Sequence, residues 1–197
     1  MKKILKWILI FLVPVLIFWG LLTLWVEKEG PYDKLELGIV NAPKKALIVY
    51  DPDPFYNLDQ QVCETFGTVL ADNNYKVTIA TVIAAKEITP TVKDFELYVF
   101  CTNTYNWYPD WAVKRFIEQK IDLTNQNVIA ITLGAGATSH SQKVLETLIE
   151  NKKGKLIDSK SFWLLKPNDE SQSKTTNVKE ALEMTKSWAL ETTNSLK

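Results

Sequence analysis

Residues 94–107 read D-F-E-L-Y-V-F-C-T-N-T-Y-N-W, an apolar run that stops abruptly in a polar and aromatic loop. Leu97, Tyr98, Val99, Phe100 and Cys101 are consecutive, rich in β-formers and nearly free of polar atoms. That is the pattern of a parallel strand covered by helices on both faces. In an open parallel sheet the ligand crevice lies beyond the carboxyl ends of the strands, so 102–107 is where chemistry would be placed. A loop whose aromatic rings pack into the core is the competing reading of the same residues.

Working outward, A-L-I-V-Y at 46–50 reads as the first strand, followed by the loop D-P-D-P-F-Y-N. Leu58, Val62, Cys63, Phe66, Val69 and Leu70 then recur at helical spacing. Asn73 and Asn74 make a turn into a second strand over 75–82, and a polar stretch with Thr89 and Pro90 leads into the strand at 97. Strand, helix and strand at these lengths predict a right-handed parallel crossover. Beyond the aromatic loop, Pro109 is expected to open a helix with Asp110 near its positive end. A buried strand over 128–133, the loop Gly134, Ala135, Gly136, Ala137, Thr138, Ser139, another helix and a last strand over 156–165 follow. A final helix is expected to be capped near Asn177, with Glu180 three residues on.

The N-terminus reads M-K-K-I-L-K-W-I-L-I-F-L-V-P-V-L-I-F-W-G-L-L-T-L-W-V, and about twenty residues from Trp7 carry no charge, enough to cross about 30 Å of hydrocarbon. Trp7 and Trp25 stand at its ends as interfacial aromatics do, and bulky residues where a signal peptide would be cut favour an uncleaved anchor. The division is a 1–29 anchor held in the bilayer through residues 4–26, a 30–44 polar tether and a 45–197 domain. Lys2, Lys3 and Lys6 place the domain on the extracytoplasmic side of a cell membrane crossed once.

Lys+Arg and Asp+Glu both number 23; without residues 1–29, 19 basic and 21 acidic groups remain, so no charge excess points to nucleic acid. Two cysteines, Cys63 and Cys101, have neither disulfide-framework nor zinc spacing and read as buried hydrophobes, with a single bridge open if the domain is extracytoplasmic. The lone His140 excludes a multi-histidine metal site.

Five strands alternating with helices, with loops after the first, third and fourth facing one rim, resemble the flavodoxin family over residues 45–196. The best local match is 94–109, D-F-E-L-Y-V-F-C-T-N-T-Y-N-W-Y-P, similar to that family's strand and aromatic turn beside the flavin. The resemblance implies an α/β doubly wound five-stranded parallel sheet of order 2-1-3-4-5 with FMN at the switch between first and third strands. It also implies that Thr102, Asn103, Thr104, Tyr105 and Asn106 line the ring and that Trp107 stacks on it. Gly134, Ala135, Gly136 and Thr138 would form the other edge, with Asp51 and Asn57 at the phosphate end.

The first loop departs from the pattern. Flavodoxins cradle phosphate with hydroxyls, glycine and free backbone N–H groups at a helix start. Here residues 51–57 contain no Gly, Ser or Thr, two prolines remove donors, and Asp51 and Asp53 bring negative charge.

Two readings therefore stand side by side. One is a membrane-anchored FMN-dependent oxidoreductase or electron carrier served by a redox protein or membrane quinone. The other is a module that kept the fold without the flavin and binds a partner through Phe55, Tyr56, Tyr105 and Trp107. A hydrolase joining Ser139 or Ser141, His140, and Asp51 or Asp53 lacks the nucleophile-elbow motif, and a cation on Asp51 and Asp53 lacks further ligands.

Overall fold

The apolar run at 97 becomes the middle strand of the sheet. A computed structural model describes residues 2–88, 95–171 and 175–196, with side chains from Trp7 onward; Thr89 and Pro90 lie outside the described residues. In chain order the elements are α1 (Lys2–Val26), β1 (Lys34–Leu37), β2 (Lys44–Tyr50), α2 (Leu58–Asp72), β3 (Tyr75–Thr81), α3 (Val82–Ile88), β4 (Leu97–Tyr105), β5 (Tyr108–Pro109), α4 (Trp111–Gln119), β6 (Asn127–Gly134), α5 (Ser139–Asn151), β7 (Lys155–Trp163) and α6 (Asn177–Ser195).

The sheet runs β1-β3-β2-β4-β6-β7, and β5 folds back on β4. Strands β3, β2, β4, β6 and β7 are mutually parallel, which is the 2-1-3-4-5 order expected of the five sequence strands. Both faces are covered, so the inner strands carry near-continuous apolar runs, 46–50 in β2, 97–101 in β4 and 128–131 in β6. Ile48, Val99 and Cys101 face α2 and α6 with Phe66 and Trp188. Leu47, Val49, Tyr98 and Phe100 face α3, α4 and α5 with Phe116 and Leu145. Cys63 and Cys101 are free, buried thiols.

Within 30–44, expected to be polar tether, β1 pairs antiparallel with β3 and covers its edge. Gly38 turns the chain back toward β2 at φ +85°, and a Cβ there would lie 2.2 Å from the Tyr75 carbonyl oxygen. Gly38→Ala is expected to cost about 2 kcal/mol, read as a shift in denaturation midpoint.

Three boundaries differ from expectation. The polar stretch after β3 begins with α3. Pro109 belongs to β5, paired with Thr104, and α4 starts at Trp111 with Asp110 as its N-cap, accepting from Val113 N–H at 2.8 Å. Thr176, not Asn177, caps α6 by accepting from Lys179 N–H, because the Asn177 amide donates to the Leu164 carbonyl instead.

Candidate functional site

The carboxyl ends of β2, β4 and β6 deliver three loops to one rim, and Asn103, near the end of β4, ties the first two together. Its amide nitrogen donates to the Asp51 carbonyl at 3.0 Å and to Asp59 Oδ2 at 2.9 Å. Its backbone N–H goes to Asp110 Oδ2 at 3.0 Å, and its carbonyl accepts from Asp110 N–H. Asn103 Oδ1 is buried and has no partner among the described residues.

The first loop spends its donors on its own carboxylates. Asp53 N–H donates to Asp59 Oδ2 at 2.6 Å, while Phe55 and Tyr56 N–H donate to Asp53 Oδ1 at 2.7 and 3.3 Å. Gln60 N–H bonds Asp59 Oδ1 at 2.8 Å. Asp51 Oδ1 accepts from Gly30 N–H at 3.0 Å, fastening the chain that leaves α1. Asn57 stands at the N-cap position of α2 without capping it, its side chain taking Gln61 instead.

In the second loop Thr102 is fully buried and donates to Asp110 Oδ2 at 2.5 Å. Thr104 Oγ1 has no partner among the described residues. Tyr105 O–H donates to Asp53 Oδ2 at 2.5 Å, and burial with that bond pushes the phenol well above its ordinary range. Asn106 and Trp107 turn the β4–β5 hairpin at φ 49° and 67°. Asn106 Oδ1 accepts from Trp19 Nε1 at 3.0 Å, and its nitrogen donates to Thr23 Oγ1 at 3.1 Å, both on α1. Trp107 is 61% exposed.

In the third loop a Cβ on Gly134 would lie 2.8 Å from Thr138 Cγ2 and 3.2 Å from Thr104 Cβ. Thr138 is buried and accepts from Trp163 Nε1 at 2.8 Å. Ala135 is exposed and its carbonyl accepts from Leu165 N–H, while Gly136 is half-buried beside Lys166. His140 meets Tyr108 edge-on, with ring centroids 4.8 Å apart.

Sequence reasoning missed Glu27, Asp59 and the joining role of Asp110. Glu27 is buried, and its Oε2 accepts from Trp111 N–H at 2.6 Å. Burial pushes its carboxyl up to about 7, opposed by the Trp111 bond and Arg115 and aided by Asp51. Burial likewise drives Asp51 up to about 7, with Asp110 adding to it, and Asp110 itself up to about 7. Burial raises Asp59 against three donated hydrogen bonds. Among the described residues no group of three or more His, Cys, Asp or Glu is placed to hold a metal ion.

The phosphate of FMN calls for free donors and little negative charge. Here the Asp53, Phe55, Tyr56 and Gln60 N–H groups already serve the Asp53 and Asp59 carboxylates and Gly30 N–H serves Asp51, so a dianion does not fit the first loop. Beside Gly134 the gap between second and third loops is filled by Thr104 and Thr138.

No protein-family model and no curated protein matches the sequence. Solved structures do. A flavodoxin from the domain Archaea aligns at 10% identity and TM-score 0.56, covering 75% of this chain and 98% of that one. Flavodoxin 2 from Bacillus cereus aligns at 13% and 0.58, covering 77% and 99%. A flavodoxin, WrbA-like protein from Agrobacterium tumefaciens aligns at 14% and 0.57, covering 77% and 96%. The fold is therefore flavodoxin-like.

Proposed function

We propose that the chain is a membrane-anchored flavodoxin-fold module that has exchanged the flavin cradle for a self-satisfied carboxylate network and acts as a docking unit at the bilayer surface. The observation that carries this reading is the closure of the first loop: its donors bond its own carboxylates, and Gly30 at the exit of α1 completes the set. The anchor is supported by Trp7–Val26, 20 residues long and apolar enough to span a membrane. On the positive-inside argument, the flank of Lys2, Lys3 and Lys6 stays cytoplasmic and the domain lies outside.

A flavin electron carrier is the second reading, favoured by the solved flavodoxins that share the fold and by the exposed indole of Trp107. FMN, when bound, would supply the electron transfer, fed by a redox protein or membrane quinone; the chain would contribute only the positioning of the ring. Full-length protein purified in detergent separates the two. The docking reading expects a colourless protein whose tryptophan fluorescence does not change on titration with FMN. Visible flavin absorption with quenching lost in Trp107→Ala would establish the carrier instead.

A further inference from the structure

The domain does not begin where the apolar helix ends. It reaches back alongside it, through the Asn106 side chain that bonds Trp19 and Thr23 of α1. Trp19 lies seven residues before Val26, about 10 Å along the axis at 1.5 Å per residue, and Thr23 about 5 Å. The 25-residue helix Lys2–Val26 is about 37 Å long at 1.5 Å per residue, more than about 30 Å of hydrocarbon, so its last turns, with the tip of the β4–β5 hairpin beside them, reach the interfacial layer. The inference rests on α1 crossing a bilayer, as set out under the proposed function.

The surface at that level has the composition of an interfacial belt. Trp107 is 61% exposed, Tyr108 50% and Phe55 64%. Phe55 packs edge-on against Trp25 of α1 at 5.1 Å, so the exposed rings are continuous with the helix. Tryptophan and tyrosine prefer the headgroup boundary, where an apolar ring and a polar edge are both accommodated. Between α1 and the hairpin an apolar groove of about 490 Å³, lined by Ile17, Trp19, Leu21, Leu24, Asn106 and Trp111, opens to the same layer.

Backbone geometry points the same way. Two consecutive positive φ angles, 49° and 67°, are those of a tight hairpin turn that favours Asn-Gly. Tryptophan in the second position strains the backbone and holds a large ring out in the open. In water both features are unfavourable; in an interfacial layer the exposed ring gains a matching solvent.

We propose that the hairpin turn at Asn106 and Trp107, with Phe55 beside it, is a second membrane contact that inserts into the interfacial layer of the bilayer crossed by α1.

The test uses the full chain in phosphatidylcholine vesicles, with an environment-sensitive fluorophore on single cysteines introduced as Trp107→Cys, Phe11→Cys or Glu150→Cys. Native Cys63 and Cys101 are buried. Nitroxide lipids carry the quencher at the headgroup or partway down the acyl chain. The expected result is headgroup quenching at 107 at least about twofold stronger than at 150, which lies at the opposite end of α5, with acyl-chain quenching strongest at 11. Quenching at 11 but equal, low quenching at 107 and 150 would overturn the proposal and leave the anchor standing. No quenching at 11 would remove the anchor and the proposal with it. Trp107→Gly, which the turn accommodates, is expected to keep the melting transition in detergent while weakening the quenching of a label placed by Phe55→Cys. Unchanged quenching in that background would count against insertion by Trp107.

Discussion

Replacing Asp59 with alanine is expected to lower stability by about 3 kcal/mol, one of the two largest effects the rim offers. The carboxylate is 1% exposed and accepts three hydrogen bonds, from Asp53 N–H, Gln60 N–H and the Asn103 amide. Alanine leaves Asp53 N–H and one N–H of the Asn103 amide buried and unmet, the other still bonding the Asp51 carbonyl, and each such group costs about 1–3 kcal/mol, while loss of a buried negative charge offsets part of the sum. Gln60 N–H is only part-buried and is the one donor that water can reach. Asp59→Asn keeps an acceptor oxygen and is expected to lose roughly half as much. Glu118→Ala, which removes a half-exposed i,i+4 pair with Lys114, should change stability by less than about 0.5 kcal/mol. Denaturation in detergent with the m-value held common reads all three. An Asp59→Ala loss no larger than that of Glu118→Ala would mean that the Asp59 carboxylate does not hold Asp53 and Asn103 in place.

The sheet was legible in the sequence because burial on both faces concentrates apolar residues where little else competes. Residues 46–50, 97–101 and 128–133 became the inner parts of β2, β4 and β6. The edge strand β1 was not legible: K-L-E-L has four residues, mostly exposed, and its pairing with β3 depends on a partner 40 or more residues away. Pro109 misled for a local reason. Proline suits the first turn of a helix, yet here the return strand of the hairpin takes it, and Asp110 supplies the cap. The position of the rim followed from topology, and the negative charge of its first loop from Asp51 and Asp53. The way that charge is held did not follow, because Asp59 and Asp110 begin different helices and are joined by Asn103, more than 40 positions from Asp59. Glu27 follows the last apolar residue of a span and reads in sequence as a solvated flank; only packing against the start of α4 buries it.

Stability is expected to fall by on the order of 3 kcal/mol as pH rises from about 5 to about 8, the reverse of a protein stabilised by ionised carboxylates. Glu27, Asp51 and Asp110 each have their carboxyls pushed up to about 7 in the folded protein, chiefly by burial. In the unfolded chain they ionise near the ordinary carboxylate values of about 4. Between those limits the folded state holds protons that the unfolded state has lost, so folding is favoured below about 4 and loses that advantage as pH passes about 7. The groups share one network: Asp51 raises Glu27, Asp110 raises Asp51 and Glu27 raises Asp110, while Glu29 and Asp59 also push Asp51 up. Arg115 opposes them only at Glu27. Their protons therefore leave in steps that belong to the cluster rather than to any one residue. The structural consequence lies at the exit of α1, where Glu27 accepts from Trp111 N–H and Asp51 from Gly30 N–H. Mutual repulsion on deprotonation should loosen both, so amide exchange at Gly30 and Trp111, corrected for its intrinsic pH dependence, is expected to accelerate above about pH 7. Asp51→Asn and Asp110→Asn should each flatten the pH profile of the denaturation midpoint. A midpoint that rises across the same interval would show that these carboxyls are ionised in the folded protein, and that the rim is open to water rather than closed by its own chain.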